Sequence, residues 1–280
     1  MNILTFNDVR YSYPPVEGDV DENGKQIMPP VVFDHFSAEL PAGFVSLVGP
    51  NGSGKSTFML LASGRILPET GKIWLFGKET STLDEQEKNE LASFLYQNME
   101  FETDEKVSEL LEYVYKNGLL KGSANGIQNS NIDLLEEIKE RFELNSLCNK
   151  KLNALSKGEM QRVLTSFALL YGSKSVFMDE PFFACEEYQK EYSLEYLRDF
   201  VKATGTSIYI SMHELDLTKK YAELVMLFYP NHDIDLGTPD EVMTDADLEK
   251  AYGIPVSMLK HSEIMTRQQI KDESEMIRKL

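Results

Sequence analysis

Residues 44–57, "FVSLVGPNGSGKST", decide the fold. Five uncharged residues run into the turn Gly49-Pro50-Asn51-Gly52-Ser53-Gly54. Lys55, Ser56 and Thr57 then open a stretch of helical character that ends at Gly64. Strand, glycine-rich turn and helix follow in that order, with the spacing GxxxxGK[ST] from Gly49 to Ser56. Glycines let successive backbone N–H groups curl around a phosphate, and the helix start adds its positive end. Lys55 is then placed to reach the terminal phosphates and the Ser56 hydroxyl to coordinate Mg²⁺. A nucleotide site is expected here.

Working outward, "SVFMDEP" (175–181) is an apolar strand ending in two carboxylates. Asp179 is placed to hold Mg²⁺ through water and Glu180 to polarise an attacking water. Strand and helix alternate around it: helix 158–171, strand 175–179, helix 186–203, strand 206–211, helix 214–221 and strand 224–228. That order predicts an α/β protein with a mostly parallel sheet. Upstream, residues 3–13 and 72–77 read as strands. The polar stretch 14–32, with Asn23-Gly24 at its centre, reads as an exposed hairpin or loop.

Residues 100–155 differ in character. Val107, Leu110, Leu111, Val114 and Tyr115 recur at helical spacing, as do Leu135, Ile138 and Phe142, so a small helical insert is expected. At its end "LSKGEMQRV" (155–163) has Ser156 as N-cap and Glu159 three residues on, the pattern of a capping box. Tyr188, Tyr192 and Tyr196 fall on one helix face, where core packing is the expected role.

Composition bounds the function. A chain of 280 residues, 42% of them hydrophobic, can bury a substantial core. A net charge of −18, with basic residues grouped no more densely than pairs such as Lys150-Lys151, argues against a nucleic-acid-binding surface. Cys148 and Cys185 lack a metal-binding spacing and are read as free thiols. The N-terminus lacks the basic-then-apolar pattern of a signal peptide, and no apolar run is long enough to span a bilayer. The chain is expected to be soluble and to serve a membrane only through a partner.

The motifs together resemble the ATP-binding cassette (ABC) family over essentially the whole chain. "GPNGSGKST" is similar to its Walker A loop, "VFMDEP" to its Walker B strand and "LSKGEMQRV" to its signature, more often written LSGGQ. Gln97 in "FLYQNME" resembles the Q-loop residue and His213 in "YISMHEL" the switch histidine. Tyr13 in "YSYP" is the aromatic expected to stack on adenine, with Tyr11 as the alternative. The resemblance implies a P-loop NTPase with a mostly parallel core sheet, an antiparallel β subdomain and an inserted helical subdomain. The cassette would span 1–260, with the helical insert at about 100–172, the acidic insert at 14–32 and a helical tail at 261–280.

It implies site residues as well. Tyr13 and the loop residues Gly49 to Thr57 would bind ATP. Ser56, Gln97 and Asp179 would hold Mg²⁺, and Glu180, His213 and Gln97 would act in hydrolysis. Two copies would pack head to tail, so that Ser156, Gly158 and Glu159 meet the γ-phosphate bound by the partner's loop. The sequence departs from the family pattern at Lys157, where glycine is usual, at Glu159, where glutamine is commoner, and at Glu186, where aspartate is expected. Residues 213–259 resemble cassettes that power uptake of iron-siderophores, haem, cobalamin and metal ions. The implied partners are membrane permease subunits and, indirectly, a substrate-binding protein, with the chain on the cytoplasmic face of the membrane. An exporter ATPase, or a soluble ATPase of an iron–sulfur assembly scaffold, is the alternative.

Overall fold

The computed structural model describes residues 2–97, 99 and 101–259; the tail 261–280, expected to be helical, lies outside them. Along β1 (Asn2–Ser12), Leu4, Phe6, Val9 and Tyr11 are buried. The period of two breaks between Phe6 and Val9. Against β2 (Val31–Pro41), Phe6 pairs with Ala38 and Val9 with Phe36, so β1 carries one extra residue there. Asp8 takes a φ of 53° at this bulge. Gly71 backs it so closely that a Cβ would lie 2.3 Å from the Asp8 carbonyl oxygen. Residues 14–30 form a largely exposed loop in which Val20 bridges Gln26, and the last two residues of the stretch 14–32 belong to β2.

β3 (Phe44–Val48) is buried at every position and leads through the glycine turn into α1 (Lys55–Ala62). β4 (Thr70–Leu75) and β5 (Lys78–Glu79) complete an antiparallel sheet ordered β2-β1-β4-β5. Next come α2 (Glu85–Leu91), started by an Asp84/Glu87 capping box, and β6 (Ala92–Leu95). Three helices follow: α3 (Val107–Asn117), α4 (Leu134–Arg141) and α5 (Lys157–Tyr171). β7 (Ser175–Asp179), α6 (Glu187–Thr204), β8 (Ser207–Ser211), α7 (Leu215–Tyr221) and β9 (Leu224–Phe228) then alternate. The last described elements are β10 (Ile234–Gly237), α8 (Pro239–Val242) and α9 (Asp245–Tyr252).

The second sheet is ordered β10-β9-β3-β8-β7-β6, and only β10 runs antiparallel to its neighbour. Parallel strands present their C-terminal ends along one edge, where ligands of open α/β sheets bind. The glycine turn after β3, Asp179 at the end of β7 and Ser211 at the end of β8 therefore share that edge. On one face of the sheet, Val107, Leu111, Tyr115, Ile138, Phe142 and Val163 from α3 to α5 join one core with Val176 and Met178. Phe142 is fully buried in it. Truncating a phenylalanine so placed costs about 3–5 kcal/mol.

The tyrosine stripe on α6 does not pack as expected. Tyr196 is fully buried, edge-on to Phe142, and its hydroxyl donates to Glu137 at 2.9 Å. Tyr188 and Tyr192 remain 55% and 46% exposed, so core packing holds for Tyr196 alone. A step of four residues overshoots a helical turn by about 40°, and over two steps the stripe rotates off the core. Tyr192 instead lies beneath the Arg141 guanidinium, 3.5 Å from ring centre to carbon.

Candidate functional site

The glycine turn owes its path to backbone conformations that side chains resist. Gly49 has a φ of 149°, and a Cβ on it would sit 2.6 Å from the Phe228 carbonyl oxygen. Gly54, at φ 102°, is the N-cap of α1 in a left-handed conformation. The Phe58 N–H is bonded to the Gly54 carbonyl. A helix start leaves its first N–H groups without partners inside the helix, so those of residues 55–57 are free for a ligand. Pro50, Asn51, Gly52 and Ser53 complete the turn, with Ser53 buried and Asn51 and Gly52 exposed.

Lys55 is 7% exposed, and its Nζ donates to the Gly49 and Pro50 carbonyls at 2.7 and 2.9 Å. Desolvation pushes its pKa below the usual lysine value, and the carboxylates of Glu180 and Asp179 oppose that. The Tyr13 hydroxyl lies 2.9 Å from Thr57 Oγ1, which ties the end of β1 to α1. Tyr13 is 41% exposed, whereas Tyr11 is buried at 7%. Of the two aromatics, Tyr13 has the open face.

A connected polar cluster surrounds the end of β7. Ser56 Oγ donates to Asp179 Oδ2 at 2.6 Å, and Ser211 Oγ donates to Asp179 Oδ1 at 2.5 Å. The Glu180 N–H donates to Ser211 Oγ at 3.0 Å. Glu180 has a φ of 48°, a left-handed conformation that costs a non-glycine residue roughly 1–2 kcal/mol. Its carboxylate is held from both sides: Gln97 Nε2 donates to Oε2 and His213 Nε2 lies against Oε1, each at 2.6 Å. A carboxylate can only accept, so the imidazole proton sits on Nε2.

Desolvation raises the Glu180 pKa, but the His213 hydrogen bond and charge, the Gln97 amide and Lys55 outweigh it, leaving the carboxyl below its usual value. The carboxylate is thus charged at neutral pH. The stability it lends is present above the unfolded-state value, about 4.3, and is lost as pH falls through the lower folded one. A pH profile of kcat/KM, which reports the free chain, is expected to show no limb from Glu180 above the usual carboxylate range. A limb near pH 6 that disappears in Glu180→Gln would contradict this.

At the start of α5 the capping box is present. Ser156 Oγ accepts from the Glu159 N–H at 3.3 Å, and Glu159 Oε2 accepts from the Ser156 N–H at 2.8 Å. The other Glu159 oxygen accepts from Lys150 at 2.8 Å, so this carboxylate is taken up within its own chain. Ser156 and Lys157 are exposed. Gly158 is required by close approach, since a Cβ would lie 2.5 Å from the Ala184 carbonyl oxygen. No hydrogen bond or ion pair among the described residues joins Ser156, Gly158 or Glu159 to residues 49–57. The chain therefore brings Tyr13, the glycine turn, Gln97, Asp179, Glu180 and His213 into one connected cluster or its immediate border, and leaves Ser156–Glu159 outside it.

Three further participants are not among the residues that the motifs single out. Ser211 faces Asp179 across the β7/β8 register, which makes it the bridge between the two acids. Gln161 donates to the Glu180 carbonyl at 3.4 Å and accepts from the Ala184 N–H at 2.9 Å, linking α5 to the segment after the acids. Lys190 donates to Glu214, the residue after His213, with their side chains 6% and 17% exposed. Removing one partner of such a buried pair leaves an uncompensated charge. Glu214→Gln is expected to destabilise the fold by about 3–5 kcal/mol in denaturant titration.

The match to known proteins fits this geometry. Residues 33–183 match the ABC transporter family, and the chain belongs to it. Within that family it is an ATP-binding subunit and an ATPase. It is similar to the hemin import ATP-binding protein of Mesorhizobium japonicum, 31% identical over 241 residues covering 83% of this chain and 88% of that one. It is also similar to the petrobactin import ATP-binding protein of Bacillus anthracis, 29% identical over 227 residues covering 79% and 88%. A dimeric ATP-binding cassette solved in a post-hydrolysis state with ADP and Pi has the same fold. It superposes with a TM-score of 0.66 at 20% identity, over 85% of this chain and 99% of that one. Among the described residues no helix is long and apolar enough to cross a membrane.

Proposed function

We propose that this chain drives uptake of an iron-siderophore, haem, cobalamin or metal ion by hydrolysing ATP beneath a membrane permease. Two copies work head to tail at the cytoplasmic face of the membrane, and a substrate-binding protein delivers the cargo to the permease. The import roles named for the petrobactin and hemin relatives support this direction of transport. In this reading residues 1–260 are the cassette, with the helical insert at about 100–172 and the acidic insert at 14–32.

The observation that carries the hydrolytic reading is the grip of Gln97 and His213 on Glu180, one residue after the carboxylate that Ser56 touches. Tyr13 stacks on adenine through its open face. The loop N–H groups and Lys55 hold the phosphates, Lys55 exchanging the Gly49 and Pro50 carbonyls for phosphate oxygens. Glu180, ionised and still aimed by Gln97, orients the attacking water and takes its proton. His213, released from Glu180, contacts the γ-phosphate. The hydroxyl of Ser56, the carboxylate of Asp179 and the amide oxygen of Gln97 are the hard oxygen donors that Mg²⁺ prefers, and the Ser56–Asp179 contact already sets two of them together. When bound, Mg²⁺ supplies charge neutralisation at the β/γ oxygens. Ser156, with the N–H groups of Gly158 and Glu159, donates to the γ-phosphate held by the other copy.

Two experiments test this. Lys55→Ala is expected to weaken ATP binding by about 10–100-fold in titration, the loss of one charged donor. Unchanged affinity would refute the placement of the phosphates. Affinity capture from solubilised membranes is expected to recover a multi-span permease; recovery of soluble scaffold proteins in its place would overturn the transport role.

A further inference from the structure

The end of β9 and the turn after it pack against the glycine loop. The Phe228 carbonyl closes on Gly49, and a Cβ on Gly54 would lie 3.8 Å from His232 Nδ1. His232 Nδ1 is 3.3 Å from the Ser53 carbonyl oxygen. A carbonyl cannot donate, so the proton sits on Nδ1 and the imidazole is the donor. Ser53 is 1% exposed and its hydroxyl has no partner among the described residues, so its own side chain does nothing to orient this peptide.

His232 also has an unusual backbone. Its φ is 66°, inside a turn closed by the His232 N–H on the Tyr229 carbonyl and the Tyr229 N–H on the Asp233 carbonyl. Glycine adopts that conformation freely and other residues adopt it at a cost. A histidine kept in a glycine-like turn, with its ring on the phosphate loop, points to use of the ring.

We propose that His232 is a positioning residue for nucleotide binding. The C=O and N–H of a trans peptide point in opposite directions. Anchoring the Ser53 carbonyl on the imidazole therefore aims the Gly54 N–H away from His232, toward the phosphates. The turn after β9 presets one donor of the cradle before ATP arrives. The inference rests on residues 49–57 being the phosphate site.

Two substitutions in the full chain separate ring from backbone. His232→Gly keeps the turn and removes the donor. His232→Asn tolerates the same φ and places an amide nitrogen where Nδ1 stood. With a fluorescent ATP analogue and Mg²⁺, His232→Gly is expected to raise Kd about fivefold, the loss of one hydrogen bond. Its melting temperature is expected to stay unchanged or rise, because the strained φ is relieved. His232→Asn is expected to restore the original affinity. Unaltered Kd in His232→Gly, or equal weakening in both variants, would overturn the proposal. Lys55→Ala measured alongside keeps the failures apart: if that variant also binds normally, the site reading fails, and if only it weakens, the role of His232 fails.

Discussion

Glu180→Gln is expected to bind ATP normally and to lose about 10²–10⁴ in turnover, the range contributed by a positioned general base. The substitution is nearly isosteric: its amide oxygen accepts from His213 Nε2–H, and its amide N–H donates to the Gln97 side chain once that amide turns its oxygen inward. What disappears is the negative charge that accepts the proton of water. Binding survives because the glycine loop, Lys55 and Tyr13 are untouched. With hydrolysis stopped, ATP persists between the two copies, and the variant is expected to accumulate as a dimer in ATP and Mg²⁺. Single-turnover kinetics with radiolabelled ATP measures the loss. Wild-type turnover in this variant would remove Glu180 from the chemistry.

Ser156→Arg is expected to abolish turnover by a different route. Ser156 is exposed at the N-cap of α5, where its N–H and hydroxyl serve the capping box. That hydroxyl, with the N–H groups of Gly158 and Glu159 at the helix start, is proposed to meet the partner's γ-phosphate. Loss of preorganised donors to developing charge typically costs about 10²–10³ in rate. A long side chain also holds the two faces apart. Within one copy the damage is small, since losing an N-cap costs about 1 kcal/mol. ATP titration is thus expected to match the unsubstituted chain and melting temperature to fall by a few degrees, while steady-state hydrolysis collapses. Hydrolysis at the wild-type rate would contradict a contact between copies.

What could be read in advance depended on whether the partners are neighbours in sequence. The loop 49–57 and the capping box at Ser156 are contiguous, and the physical demand of each is met by residues a few places apart. Asp179 and Glu180 were legible because an apolar strand ending in acids lies downstream of such a loop. Ser211 was not, because its value comes from sitting opposite Asp179 in a parallel register that no local pattern encodes. His232 was hidden for a similar reason: nothing in "YPNHD" reveals that the ring reaches Ser53, 179 positions away.

The fold shows the same division. Buried central strands such as β3 and β7 announce themselves by continuous apolar character. The marginal elements do not. α2 buries only Leu91, and β10 at the sheet edge has no fully buried residue, so neither leaves a hydrophobic period to detect. The bulge at Asp8 breaks the alternation of β1, and the close approach of Gly71 that permits it comes from more than sixty residues away. On α6 the four-residue spacing of the tyrosines suggests one face, but its drift around the helix carries Tyr188 and Tyr192 into solvent.

Light scattering of the Glu180→Gln protein in saturating ATP and Mg²⁺, with and without Ser156→Arg in the same chain, asks most directly whether one nucleotide is gripped by two copies. The predicted result is twice the mass of one chain for Glu180→Gln and the mass of a single chain once Ser156→Arg is added. A single-chain mass in both, or a dimer that Ser156→Arg does not disturb, would contradict the shared site.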